Sequence, residues 1–224
     1  NRALGLLIRS YQTGKNGPSL YPVSHKAIIS TYCANVRSIL EYCCVIWGGA
    51  ANTHLIRTDR LQHKFLIWLS ARCRVRNVSL DYKNLLRHFF LASMAARRQQ
   101  YDLMFIRNIH NQKIDSAILL ESFPLAAPPR ALRNPVLFHV PHARVNTVKS
   151  SMFVRIPHLC NQFLNSVRTV DVFNSGLYAF KKHAIVYSRS EHLCQHHQST
   201  RLGLQHHLIL SSLHLIYFFY CIYF

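Results

Sequence analysis

The chain has 224 residues, half of them hydrophobic, and its 27 Lys and Arg stand against 8 Asp and Glu for a formal charge of +19. That much apolar side chain excludes wholesale disorder and suffices for one folded domain with appendages. The charge leaves a large uncompensated positive field facing solvent, which favours phosphate-bearing partners, nucleic acid first and an anionic membrane surface second.

Residues 1–22 hold an apolar start, Ala3 to Ile8, and then loop signals at Gly14, Gly17, Pro18 and Pro22. Ser24 is placed to cap a helix from about His25 to Trp47, stopped by Gly48-Gly49. Three-and-four spacing predicts its buried face at Ile28, Tyr32, Val36, Ile39 and Cys43. A second helix, Thr53 to about Arg72, turns Leu61, Phe65, Trp68 and Leu69 inward. Ser79 opens a third helical segment reaching Phe90, and Ser93 a fourth reaching about His110, whose Tyr101 and Phe105 are expected in the same core. After Asp115 the texture changes. Ile118 to Phe123 fits one short helix. Pro124, Pro128-Pro129, Pro135 and Pro141 then favour extended or turn structure to about Val154, with short helices at 158–167 and 175–185. From His192 to His214 stand six of the fifteen histidines, and residues 208–224 form the apolar run LILSSLHLIYFFYCIYF.

The expected fold class is mainly α. Residues 1–22 are an N-terminal remnant and loop, 23–112 a small helical bundle, 113–189 a Pro-rich extended region with short helices, and 190–224 a His-rich, then apolar tail.

The acids are Glu41, Asp59, Asp81, Asp102, Asp115, Glu121, Asp171 and Glu191, and no two lie within one helical turn of each other. The sequence therefore offers no local carboxylate pair for two-metal or glycosidase chemistry, and no catalytic residue is assigned. Seven cysteines without a CxxC read as reduced, mostly buried thiols of an intracellular protein. The run His192-Leu193-Cys194-Gln195-His196-His197 contains zinc-ligand residue types but no second ligand pair at a zinc spacing, so no metal is assigned either. No GxSxG turn or glycine-rich phosphate loop occurs.

The feature that does carry chemistry is cationic. Arg57, Arg60, Lys64, Arg72, Arg74 and Arg76 face one acid, Asp59, in their stretch. On a helix 57, 60 and 64 share one side, with Leu61, Phe65 and Leu69 nearer the other. Cations one turn apart can track a phosphate backbone without reading bases. The run 208–224 supports a second reading: a membrane tail, at the short edge of what crosses hydrocarbon, with the positive body on anionic headgroups.

Several phrases, in one order, carry a family likeness. TYCANVRSILEYCCVIW (Thr31–Trp47), DRLQHKFL (Asp59–Leu66), ARRQQYDLMFIRNIHNQKIDSAILL (Ala96–Leu120), PPRALRNPVLFHVP (Pro128–Pro141), and RIPHLCNQFL with VDVFNSGLYAFKKH (within Arg155–His183) together resemble the segment after the catalytic palm in reverse transcriptases of non-LTR retrotransposons. The likeness spans residues 3 to 185. It departs at Ser38, where the family has Pro, and at Cys43, where it has Gly or another small residue. The aromatic-x-Asp-Asp polymerase signature is absent and would lie upstream of Asn1.

The resemblance implies a thumb-like bundle, the C-terminal fragment of an RNA-directed DNA polymerase, inactive alone and intracellular, in nucleus or cytoplasm. It implies no cofactor in this chain, although the parent enzyme would use Mg. Its implied partners are the missing upstream polymerase domains and RNA or an RNA–DNA duplex, bound without sequence preference. Beyond His183 the likeness stops, and the tail reads as translation past the end of a decayed element.

Overall fold

Short-range signals place several of the helices. Ser24 caps α2 (His25–Tyr32), its hydroxyl accepting from the Lys26 amide at 3.3 Å. Ser93 caps α7 (Met94–His110) by accepting from the Ala96 amide at 3.1 Å, and α4 (Cys44–Trp47) stops at Gly48. The long α5 (Asn52–Arg72) is followed by α6 (Tyr82–His88), where Asp81 is the N-cap and Ser79 holds the Asp81 amide. The remaining helices are α1 (Arg2–Gln12), α3 (Ser38–Glu41), α8 (Ala117–Ser122), α9 (Asn146–Lys149), α10 (Met152–Ser166) and α11 (Leu177–Cys194). These come from a computed structural model that describes residues 2–12, 24–75, 79–126, 136–167 and 169–194. Among the described residues the chain is mainly α, and its β structure is one isolated bridge, Leu125 to Phe138. Residues 1–192 form one unit; nearly all of the remainder, including the apolar run 208–224, lies outside the described residues.

Two apolar clusters build this unit. The first gathers Leu4 and Leu7 of α1, Ile28 and Tyr32 of α2, Phe65, Leu66 and Leu69 of α5, and Leu85 of α6. The second gathers Leu103, Ile106 and Ile109 of α7 with Phe123, Phe138, Ile156, Phe163 and Phe180. Helix α7 touches α3, α4, α5, α8 and α10, so it is the spine between them. Amphipathic α1 is thus part of the first core.

The structure corrects the reading of residues 25–47. Ile28, Tyr32 and Val36 are buried as expected, but Ile39 is 63% exposed and Cys43 is exposed. The cause is a π-helical turn over Cys33–Arg37. Its wider turn carries an extra residue and delays the buried face by one position, so Leu40 packs on the first cluster and Cys44 is buried instead. The helix then breaks at Tyr42 and Cys43, the latter in left-handed backbone at φ 52°, ψ 27°. Left-handed backbone strains a residue with a Cβ and suits glycine. Cys43→Gly is therefore expected to stabilise the fold by about 1 kcal/mol, read as a rise in the urea midpoint at unchanged m-value. A fall in midpoint would show that the exposed thiol makes a contact worth more than the strain.

Other expectations shift by smaller amounts. Trp68, Tyr101 and Phe105 are half-buried: Trp68 leans on Tyr11 at 6.3 Å, and Phe105 meets Phe123 edge-on at 6.1 Å. Helix α10 starts earlier than expected, at Met152, and continues through the buried Pro157. Proline forfeits one helical hydrogen bond there, and burial of Ile156, Cys160 and Phe163 compensates. Helix α11 runs past 185 to Cys194, held at Ser188 by Gln100 Nε2 donating to its hydroxyl at 2.9 Å. Helices α5, α6 and α7 each end with a left-handed residue, Arg74, Phe90 and Gln112, whose successor's amide reaches back to Ser70, Leu86 or Asn108. This is the usual glycine C-terminal motif built without glycine.

Candidate nucleic-acid interface

On α5 the interior positions are Gln62, Phe65, Leu66, Leu69 and Ser70. At about 100° per residue these fill one arc of the helix. Arg57, Arg60 and Lys64 lie on the opposite arc and are exposed, as are Arg72 at the helix end and Arg74 just beyond it. From Arg57 to Lys64 the row extends roughly 10 Å along the axis, and Arg72 is turned about 60–120° away from it. The sequence-predicted cations are therefore all on solvent, except Arg76, which lies outside the described residues.

Asp59, the acid expected to offset them, does not. Its Oδ1 accepts from the Tyr82 hydroxyl at 2.9 Å and the Met94 amide at 3.2 Å, and its Oδ2 lies 3.7 Å from Arg98. It is turned into the seam between α5, α6 and α7. Among the described residues, no ion pair reaches Arg57, Arg60, Lys64, Arg72 or Arg74.

The same withdrawal of acids recurs elsewhere. Glu41, with an 8% exposed side chain, accepts from Arg97 Nε and Nη2, each at 2.8 Å, and from Tyr101 at 2.7 Å, with Arg37 at 3.4 Å. Burial pushes its carboxyl up, but the Arg97 hydrogen bonds, the two guanidinium charges and the Tyr101 hydroxyl outweigh it and hold the pKa below the ordinary value. Asp102 accepts from Arg155 Nε at 3.0 Å and Nη2 at 3.1 Å, a two-pronged contact. Arg155 also donates to Val45 O at 2.8 Å and Ser150 O at 3.3 Å, so it clasps α7, α10 and α4. Sequence reading missed this arginine set, Arg97, Arg98 and Arg155. The available signal was a helix, α7, with charges at too many angles to leave one dry face: Arg98, Asp102 and Arg107 are all buried in it.

Beside the cationic row lies a depression of about 390 Å³ lined by Ile67, Ser70, Ala71, Arg74, Val75 and Leu80. His63 Nε2 pairs with Leu80 O at 2.8 Å, fixing its wall against α5.

Among the described residues no group of three or more His, Cys, Asp or Glu is arranged to hold a metal, and no helix is long and apolar enough to cross a membrane. The histidine run that prompted the zinc reading and the apolar segment behind the membrane reading fall outside the described side chains. Of the described thiols, Cys33, Cys44 and Cys160 are buried, while Cys43 and Cys73 are exposed. No family model, no curated protein and no solved structure matches this chain.

Proposed function

We propose that this unit grips nucleic acid by its sugar–phosphate backbone, as the thumb-like, non-catalytic part of a reverse transcriptase of the non-LTR retrotransposon type. The observation that carries the binding role is the fate of Asp59: the one acid on α5 is spent on Arg98, Tyr82 and Met94, so the outward row of Arg57, Arg60, Lys64, Arg72 and Arg74 keeps its full charge. Cations on a rigid helix, free of internal partners, contact phosphates without fixing base identity.

Two further observations support the family reading. Each cross-helix ion pair joins two phrases of the likeness: Glu41 to Arg97, Asp59 to Arg98, and Asp102 to Arg155. Asn161 does the same, receiving the Leu137 and Phe138 amides at 3.1 and 3.0 Å. One departure from the family phrase falls on irregular backbone and the other borders it. Cys43 stands in left-handed backbone where the family has glycine or another small residue. Ser38, where the family has proline, directly follows the π-helical turn and donates its hydroxyl to Ala34 O.

The test is a salt titration of binding to a blunt RNA–DNA hybrid. Log affinity should fall linearly with log salt, by about 0.9 per phosphate neutralised on a B-form duplex and comparably here. The Arg60→Ala, Lys64→Ala double variant should flatten that slope by about one to two units and bind more weakly on every sequence, with thermal stability unchanged. An unchanged slope and affinity in that variant would remove α5 from the interface.

A further inference from the structure

We infer that the depression at the C-terminal end of α5 holds an unpaired base, so that the nucleic acid this chain prefers is one with a single-stranded stretch running off the gripped backbone. The inference rests on the binding role proposed above and narrows its ligand.

Residues 57, 60, 64, 67 and 71 step by three and four along α5, and Arg74, past the helix end in left-handed backbone, continues that stripe at the rim of the depression. The stripe reads Arg, Arg, Lys, then Ile and Ala, then Arg. A backbone followed along the three cations runs directly onto the Ile67–Ala71 floor of the depression and meets a cation again at Arg74. Ile67 is 37% exposed and Leu80 on the facing wall is 57% exposed. Among the described residues both leave apolar surface to water beside the cationic row of α5.

A duplex does not use such a surface. Its base faces are stacked internally, and it offers a flat protein face only phosphate and sugar. An unpaired nucleotide offers both chemistries at once: an apolar base face for Ile67, Ala71 and Leu80, and flanking phosphates for Lys64 and Arg74. The volume, about 390 Å³, lies within the small-ligand range of roughly 300–1,000 Å³. The walls are preformed. The Val75 amide donates to Ser70 O at 3.0 Å, which seats Arg74 at the rim, and the His63–Leu80 contact fixes the opposite side. The lining presents no base-specific arrangement of donors and acceptors, so the site takes any base.

The full chain is tested with two probes, a blunt RNA–DNA hybrid and the same hybrid extended by a short single-stranded overhang carrying a fluorescent purine. The overhang should bind about threefold tighter, less than a base stacked on an aromatic ring gains because the floor is aliphatic, and the purine emission should change on binding. The Ile67→Ser, Leu80→Ser double variant should lose that advantage and the emission change, while keeping the blunt-hybrid affinity and its salt slope. Equal wild-type affinity for the two probes would overturn the inference and leave the backbone grip standing. So would an overhang advantage that survives both substitutions. Failure of the wild-type chain to bind even the blunt hybrid, with binding to anionic phosphatidylserine vesicles instead, would overturn the grip and the base site together.

Discussion

Replacing Arg155 with alanine is expected to remove about 3–5 kcal/mol of stability, a large share of what a domain of this size holds in reserve. The loss goes beyond the hydrogen bonds themselves. Asp102 is 3% exposed, and without the guanidinium its carboxylate would be an unpaired buried charge. The Val45 and Ser150 carbonyls would lose their donor at the same time. Urea unfolding measures it, with the expected drop in midpoint; a midpoint within experimental error of wild type would show that the clasp is not structural.

The pH dependence separates charge from packing. Burial pushes Asp102 up to about 6, with Arg155 pulling the other way. A carboxyl raised in the folded state binds more protons there than in the unfolded chain. Its contribution is therefore full below the ordinary carboxylate range and fades as pH rises through about 6. Removing Arg155 removes the downward pull, so the window extends to higher pH. The Arg155→Ala chain should consequently be weakest near neutrality and regain part of its loss on acidification to about pH 5. Glu41 runs in the opposite sense: its pKa is lowered, so its contribution is present above the ordinary carboxylate value and lost as pH falls through the depressed one. An Asp102→Asn chain isolates the two, because the acid-side loss attributable to Glu41 should remain when the Asp102 trend is gone.

Phe65→Ala should cost a similar amount, about 3–5 kcal/mol, by the quite different route of an emptied core. Phe65 is fully buried, stacks on Tyr32 with ring centroids 3.9 Å apart and planes within 6°, and touches Trp68 at 6.1 Å. Tyr32→Phe provides the control. Among the described residues the Tyr32 hydroxyl is buried with no hydrogen-bond partner, and burial pushes its pKa up, with the Arg37 charge pulling the other way. Removing that oxygen should leave stability unchanged or raise it, since an unsatisfied buried hydroxyl is a cost. Calorimetric midpoints decide both. Phe65 and Lys64 are adjacent in sequence and point about 100° apart on α5, one buried and one exposed. Phe65→Ala should move the melting midpoint, whereas the Arg60 and Lys64 substitutions move the salt slope. If Phe65→Ala left the midpoint in place, α5 would not be anchored through this ring.

The features legible in the sequence were those whose physics closes within a turn or two of chain. Ser24 and Ser93 satisfy amides two and three residues on, so their helices start where a cap was readable. The cationic arc of α5 was readable because its buried arc repeats every three to four residues. What only the tertiary structure decided involves partners far apart in sequence. No local pattern says that Asp59 belongs to Arg98 and Tyr82 rather than to Arg60 beside it, or that Arg155 reaches back to Val45. The π-helical turn is of the same kind: the face over Cys33–Glu41 is set by Glu41, beside Arg37, meeting Arg97 and Tyr101 of α7, and a strict 3.6-residue count points Ile39 inward where Leu40 goes. The length of α11 likewise depends on Ser188 finding Gln100. Capping and periodicity are properties of a segment, whereas desolvating a charge is favourable only beside its partner, and the assembled fold chooses that partner.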